Sequence, residues 1–187
     1  MSVPSDRLGG LPVQADEPVE AVPPERLSLT IVEEEGDWSG FGPLQDAVDE
    51  VGRALGRDPR LGLAPGSEAS IVLASDAIVR RLNCAHRGKD AATNVLSFPF
   101  QRPPGAFEEA RVYLGDVVLA AETVRGEAAE RGIDPGHHLR HLVVHGVLHL
   151  IGYDHDTDAA AAEMEGLETE LLGRIGVADP YAVAVEA

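Results

Sequence analysis

Apolar and polar residues alternate from Arg26 to Glu33, with Leu27, Leu29 and Ile31 set against Ser28 and Thr30, the period of a strand with one buried face. The period then lengthens. Leu44, Val48, Val51 and Leu55 fall on one helical stripe, and Pro43 sits where the first turn of a helix tolerates it. Gly56 to Gly66 reads as a loop rich in Pro and Gly, and Glu68 to Ser75, around Ile71, Val72 and Leu73, as a second strand. Asp76 is placed to cap a short helix through Leu82, with a turn at His86–Asp90. Thr93 to Phe100 predicts a third strand whose Pro99 suits a sheet edge, and after a loop at Gln101–Ala110 comes a fourth, Val112 to Ala120. A helix from about Ala121 to Arg131 follows. Asp134 and Pro135 then open a helix rich in histidine, and Asp156 or Asp158 is placed to cap a last one through Ile175.

The order β-α-β-α-β-β-α-α-α predicts an α+β fold with a mixed four-stranded sheet and about five helices. The first two strands, joined by a helix, are expected to be parallel, and the adjacent strands at 93–120 antiparallel. Residues 1–25 show no helical or alternating period and are expected to form a disordered or loosely attached extension. Residues 26–175 then make a single domain, and 176–187 a poorly fixed C-terminal tail.

Composition changes this picture in two places. One cysteine, Cys84, allows no internal disulfide, and with neither a secretory signal nor ~20 continuous apolar residues the expected location is the cytoplasm. A net charge of −17 disfavours nucleic acid in general, DNA included. Between Arg80 and Arg111, however, six basic residues stand against three acidic ones, and Lys89 is the only lysine in the chain. A polyanion would bind there.

The candidate chemistry lies in His145-Gly-Val-Leu-His149-Leu-Ile-Gly-Tyr-Asp-His155. Residues four apart on a helix share a face, so His145 and His149 can reach one ion. Gly152 can take the left-handed backbone that ends the helix, and the turn returns His155 as a third ligand. A lone histidine pair is more often solvated or buried than ligating; the glycine and the third histidine reverse that judgement. Three imidazoles with a fourth position for water make a catalytic zinc layout, although such a site also suits nickel, copper or iron. The spacing is that of the metzincin proteases, but Gly146 stands where they carry a glutamate base, which argues against peptide hydrolysis.

Among the lesser candidates, His141 is expected to be packed or supporting rather than a fourth ligand. Asp116 is expected at a sheet end, with orientation of an imidazole as the alternative. Asp154 and Asp156 read as caps or solvated charges, and Cys84 as a buried thiol.

A second constellation, Arg87-Gly-Lys-Asp90, joins a fork-shaped guanidinium to a glycine that permits close backbone approach, as phosphate binding requires. Its bland alternative is a surface turn with Arg87 paired to Asp90. Together, His86-Arg-Gly-Lys-Asp-Ala-Ala-Thr-Asn-Val-Leu-Ser-Phe-Pro99, Leu114-Gly-Asp-Val-Val118 and the histidine run closely resemble the YbeY family of metal-dependent endoribonucleases. The likeness spans about residues 27 to 175. It implies an α+β fold, one zinc ion per chain on His145, His149 and His155, and a functional arginine at Arg87. It also implies cleavage of single-stranded RNA during maturation of the 3′ end of small-subunit ribosomal RNA, and quality control of ribosomes. Zinc brings the pKa of bound water to about 7, and Arg87 would neutralise the scissile phosphate. The alternatives are a metallopeptidase or amidohydrolase on the same site, and a non-catalytic, zinc-stabilised module that binds the ribosome.

Overall fold

Strand β1 (Leu27–Glu33) buries Leu27 and Leu29 and leaves Ser28 and Thr30 exposed, as the alternation requires. The computed structural model describes residues 26–101 and 112–182. After β1 come α1 (Leu44–Gly56), a single 3-10 turn (Pro59–Leu61), β2 (Ser67–Ala74), α2 (Asp76–Arg87), β3 (Val95–Pro99), β4 (Tyr113–Ala120), α3 (Ala121–Arg131), α4 (Pro135–Leu150) and α5 (Asp158–Arg174). The expected 1–25 extension, most of the 101–110 loop and the last five residues of the tail lie outside the described residues.

The four strands form one mixed sheet in the order β1-β2-β4-β3. β2 pairs in parallel with β1 and with β4, while β3 runs antiparallel to β4 and leaves Pro99 on an edge strand, where its missing N–H breaks no ladder. On one face Leu29, Ile71, Leu73, Val117 and Leu119 meet α1, α4 and α5 in the main core. On the other, α2 seals a smaller cluster through Val79, against Leu96, Val118 and Ala120. The main face decides the function, because α4 is buried there along most of its length.

Four local expectations are corrected. Ser75, not Asp76, caps α2, its hydroxyl accepting from the Ile78 N–H at 3.4 Å. Asp76 instead ties α2 to α3: it accepts from the backbone and hydroxyl of Thr123, while Glu122 accepts from the Asp76 N–H. The same helix runs on through the expected turn to Arg87, because its last turn is polar and projects into solvent; Gly88, at φ 68°, ends it. Cys84 lies on that projecting turn and is exposed, not buried. Thr157 caps α5, taking the Ala160 N–H where Asp156 or Asp158 was expected.

The loop after α1 is organised around Asp58, which is buried and accepts from the Arg60 backbone and guanidinium and from Arg174 of α5. The Arg60 hydrogen bond, above all, holds the Asp58 carboxyl far below its usual range despite burial. Past α5, Val177 is buried in the main core and Tyr181 reaches back to Glu168, so the described start of the tail is packed against the domain.

Candidate metal centre

Local signals at its two ends frame α4. At the start, Asp134 accepts from the His137 N–H and Pro135 occupies the first turn. At the close, the Tyr153 N–H bonds the Leu148 carbonyl and the Gly152 N–H bonds that of His149, with Gly152 at φ 97°. This paired closure reverses the chain within three residues and needs a glycine at the left-handed position. It brings the His155 ring to 5.0 Å from His149 and 5.7 Å from His145, centroid to centroid. One ligand-capable atom from each of the three lies within 4.8 Å of the others.

Which nitrogen each ring offers follows from its partners. The Nδ1 of His149 lies 2.9 Å from the carbonyl oxygen of Tyr153, which can only accept, so Nδ1 carries the proton and Nε2 a lone pair. The Nδ1 of His145 lies 2.8 Å from Oε1 of Glu168. Burial pushes that carboxyl upward, but hydrogen bonds from His141, His145 and Tyr181 together outweigh it and hold the group at about 2. Glu168 is therefore an acceptor, and His145 also turns an Nε2 lone pair inward. The two Nε2 atoms are 3.1 Å apart. Two facing lone pairs repel unless a proton or a metal cation lies between them, and two nitrogens at tetrahedral zinc positions would be about 3.3 Å apart. Burial first, and then the neighbouring His145, lower the His149 pKa, which favours the neutral form a metal needs. The donor set fits a zinc-like ion, with the exposed His155 on the solvent side.

Glu168 escaped the reading of the sequence. It is fully buried on α5, within the apolar stripe Met164, Leu167, Leu171 and Leu172, and a carboxylate on such a stripe was the available signal. Its second oxygen accepts from Nε2 of His141 at 3.0 Å and from the Tyr181 hydroxyl. His141, His145 and Glu168 could also be grouped as ligands, but the short contacts among them are hydrogen bonds that already occupy both carboxylate oxygens. Hydrogen-bonded carboxylates of this kind orient a ligating imidazole and raise its basicity. His141 is thus a buried, supporting residue, as expected.

The missing glutamate has a steric cause. A Cβ on Gly146 would stand 2.4 Å from Cγ1 of Val117 on β4, and the Gly146 carbonyl accepts from the Ser97 hydroxyl of β3 at 3.0 Å. Position 146 therefore faces the sheet rather than the ion.

Arg87 is exposed at the end of α2, and it makes no ion pair or hydrogen bond with the three histidines. The expected alternative of an Arg87–Asp90 pair fails, because Arg80 takes Asp90 at 2.6 Å. A relay of contacts still links the two constellations. His86 packs edge-on against Phe98 of β3 at 5.0 Å, and the adjacent Ser97 bonds α4 at Gly146. Asp116 lies away from the imidazoles and accepts from the Tyr113 hydroxyl; Asp154 caps the turn by accepting from the His155 N–H.

Comparison with known proteins yields consistent neighbours. The family model described as Endoribonuclease YbeY matches residues 44–176. Proteins named Endoribonuclease YbeY from Rhodospirillum rubrum and Rhizobium meliloti are 47% and 46% identical to the chain, over 84% and 83% of its length and 83% and 95% of theirs. A third, from a Bradyrhizobium species, is 50% identical over 73% of this chain and 83% of its own. The solution structure of a Thermotoga maritima protein shares the fold with a TM-score of 0.50 at 21% identity, over 83% of this chain and all of that one.

Proposed function

The chain belongs to the YbeY endoribonuclease family, and on that premise we propose that it is a zinc-dependent endoribonuclease specific for single-stranded RNA. We place its work in the cytoplasm, in maturation of the 3′ end of small-subunit ribosomal RNA and in ribosome quality control, with the small subunit as partner. The observation that carries the reading is the pair of Nε2 atoms of His145 and His149, 3.1 Å apart with both Nδ1 atoms committed elsewhere, and His155 beside them. His145, His149 and His155 would hold the ion, which supplies Lewis acidity toward a phosphoryl oxygen.

The chain's own residues account for the remainder. Glu168 and the Tyr153 carbonyl fix two rings in the required tautomer. Arg87 is the proposed catalytic residue that meets the scissile phosphate. Together with Arg81 and Lys89 it is exposed and forms no ion pair among the described residues, so these cations are available to a polyanion although the chain as a whole is acidic. RNA carries an internal nucleophile in its 2′-hydroxyl, which lessens the need for a base at position 146.

The peptidase reading is weakened by Gly146, whose position faces Val117 and cannot present a base to the ion. A purely structural zinc normally has four protein ligands, and the described residues bring together three imidazoles. The test is metal analysis of the purified chain before and after chelation, with cleavage of single-stranded RNA, duplex RNA and peptides measured alongside. About one zinc per chain and chelator-sensitive cutting of single strands alone are expected. Peptide cleavage with RNA untouched would overturn the proposal. For Arg87→Glu, zinc content should stay near one per chain while RNA cleavage falls at least about tenfold; unchanged cleavage removes Arg87 from the site.

A further inference from the structure

We propose that an aromatic groove beside β3 is a stacking subsite for one unpaired nucleobase next to the scissile phosphate, an inference that rests on the RNA-cleaving reading above. Phe98 and Phe100 are two residues apart on an extended edge, with the Phe100 N–H continuing the ladder to the Leu114 carbonyl, so both rings lie on one face of the sheet. Phe100 is 52% exposed, unusual for so large an apolar side chain, and meets Tyr113 edge-on at 5.6 Å. The three aromatics, with Ser97, Gly115 and Asp116, line an open groove of about 350 Å³.

Position and charge identify the occupant. Ser97, the residue before Phe98, turns its hydroxyl to the opposite face and donates to the Gly146 carbonyl, which lies between His145 and His149 on α4. The aromatic rings and the histidine-bearing helix therefore lie on opposite faces of the same edge strand. On its far side, His86 packs against Phe98, and Arg87 follows directly. A strand of RNA lying over the open edge of β3 would thus meet cations, aromatic faces and the ion site in turn. Asp116 sorts the parts of the nucleotide. Its carboxylate accepts from Tyr113 and repels phosphate, so the groove takes the base and leaves the backbone to Arg87 and Lys89. Aromatic faces receive any unstacked base, whereas a duplex keeps its bases stacked inside, which gives preference for single strands a physical origin.

The test uses the full-length protein and a short single-stranded RNA of mixed sequence. Binding is read by fluorescence anisotropy in the chelated form and turnover in the zinc-loaded form. Phe100→Ala should raise both Kd and KM about tenfold, within the span reported for loss of one base stack, and leave kcat within twofold. Phe100→Trp should restore binding, and Phe100→Leu should not. A single abasic nucleotide, scanned along the RNA, should at one position make wild type and Phe100→Ala bind alike. Wild-type Kd in Phe100→Ala, or full rescue by Phe100→Leu, overturns the subsite while leaving RNA cleavage intact. A wild-type protein that neither binds nor cuts RNA overturns both.

Discussion

The two halves of α4 carry the same residue type and do opposite things with it. In the first half, His138 and His141 point Nε2 at carboxylates, Glu127 at 2.7 Å and Glu168 at 3.0 Å, and their Nδ1 atoms are buried without a hydrogen-bond partner. In the second half, His145 and His149 give Nδ1 to acceptors and bring their Nε2 atoms together. An imidazole becomes a ligand when its partner takes one nitrogen and leaves the other facing a shared space. The remaining Nδ1 atoms of the first pair are buried, and among the described residues no three-ligand group includes His138; the second pair gains its third ligand because the chain doubles back at Gly152 and adds His155. Spacings of three and of four residues both put two rings on one helical face, so sharing a face does not by itself make a ligand pair. Partner atoms do.

The harshest way to break this contrast is His149→Ala. Zinc content should fall from about one per chain to near zero and RNA cleavage by at least about 100-fold, with the far-ultraviolet circular dichroism of the chelated protein unchanged. Retained stoichiometric zinc would mean that the facing Nε2 pair is not the site. Next in size is Gly146→Glu, which restores the protease pattern. With a Cβ forced to 2.4 Å from Val117, urea unfolding should show a loss of about 3 kcal/mol, at the upper end for an overpacked core, and no peptidase activity should appear. Normal stability would refute the steric account.

Glu168→Gln sharpens the comparison, since Glu168 serves both halves at once. Zinc affinity, measured by competition with a chelating dye, should weaken about 10- to 100-fold, the usual cost of losing a supporting carboxylate. Unchanged affinity would show that His145 needs no help to keep its tautomer. The smallest expected effect is that of His138→Gln, which should leave zinc content alone. Burial, against the pull of Glu127, lowers the His138 pKa, and burial with His145 lowers that of His149. For a base whose folded pKa lies below the unfolded value near 6.5, the unfolded chain binds more protons. That contribution to stability is full above about pH 6.5 and is lost as pH falls through the folded value. Metal-free wild type should therefore lose Tm as pH drops below about 6.5, and His138→Gln should lose less. Parallel curves would argue that the fold does not depress the His138 pKa.

Much of this was legible from local signals. The 2-residue and 3.6-residue periods located four strands and five helices, Asp134-Pro135 and Gly152 marked both ends of α4, and Pro99 pointed to a sheet edge. Misreadings occurred where polarity hid structure: the solvent-facing last turn of α2 carries no apolar period, yet its backbone hydrogen bonds continue to Arg87. Glu168 was missed for the opposite reason, since its stripe announces a buried face and not what a carboxylate does there.

Spacing and capping, then, determined that three histidines stand within reach of one another, because helix geometry and a left-handed glycine act over a few residues. The tertiary structure decided which ring nitrogens face inward and why no glutamate can stand at position 146. The first depends on Glu168, 23 residues from His145 along the chain, and the second on Val117 in a strand packed beneath the helix. Hydrogen-bond direction and van der Waals contact between distant segments exist only once those segments meet.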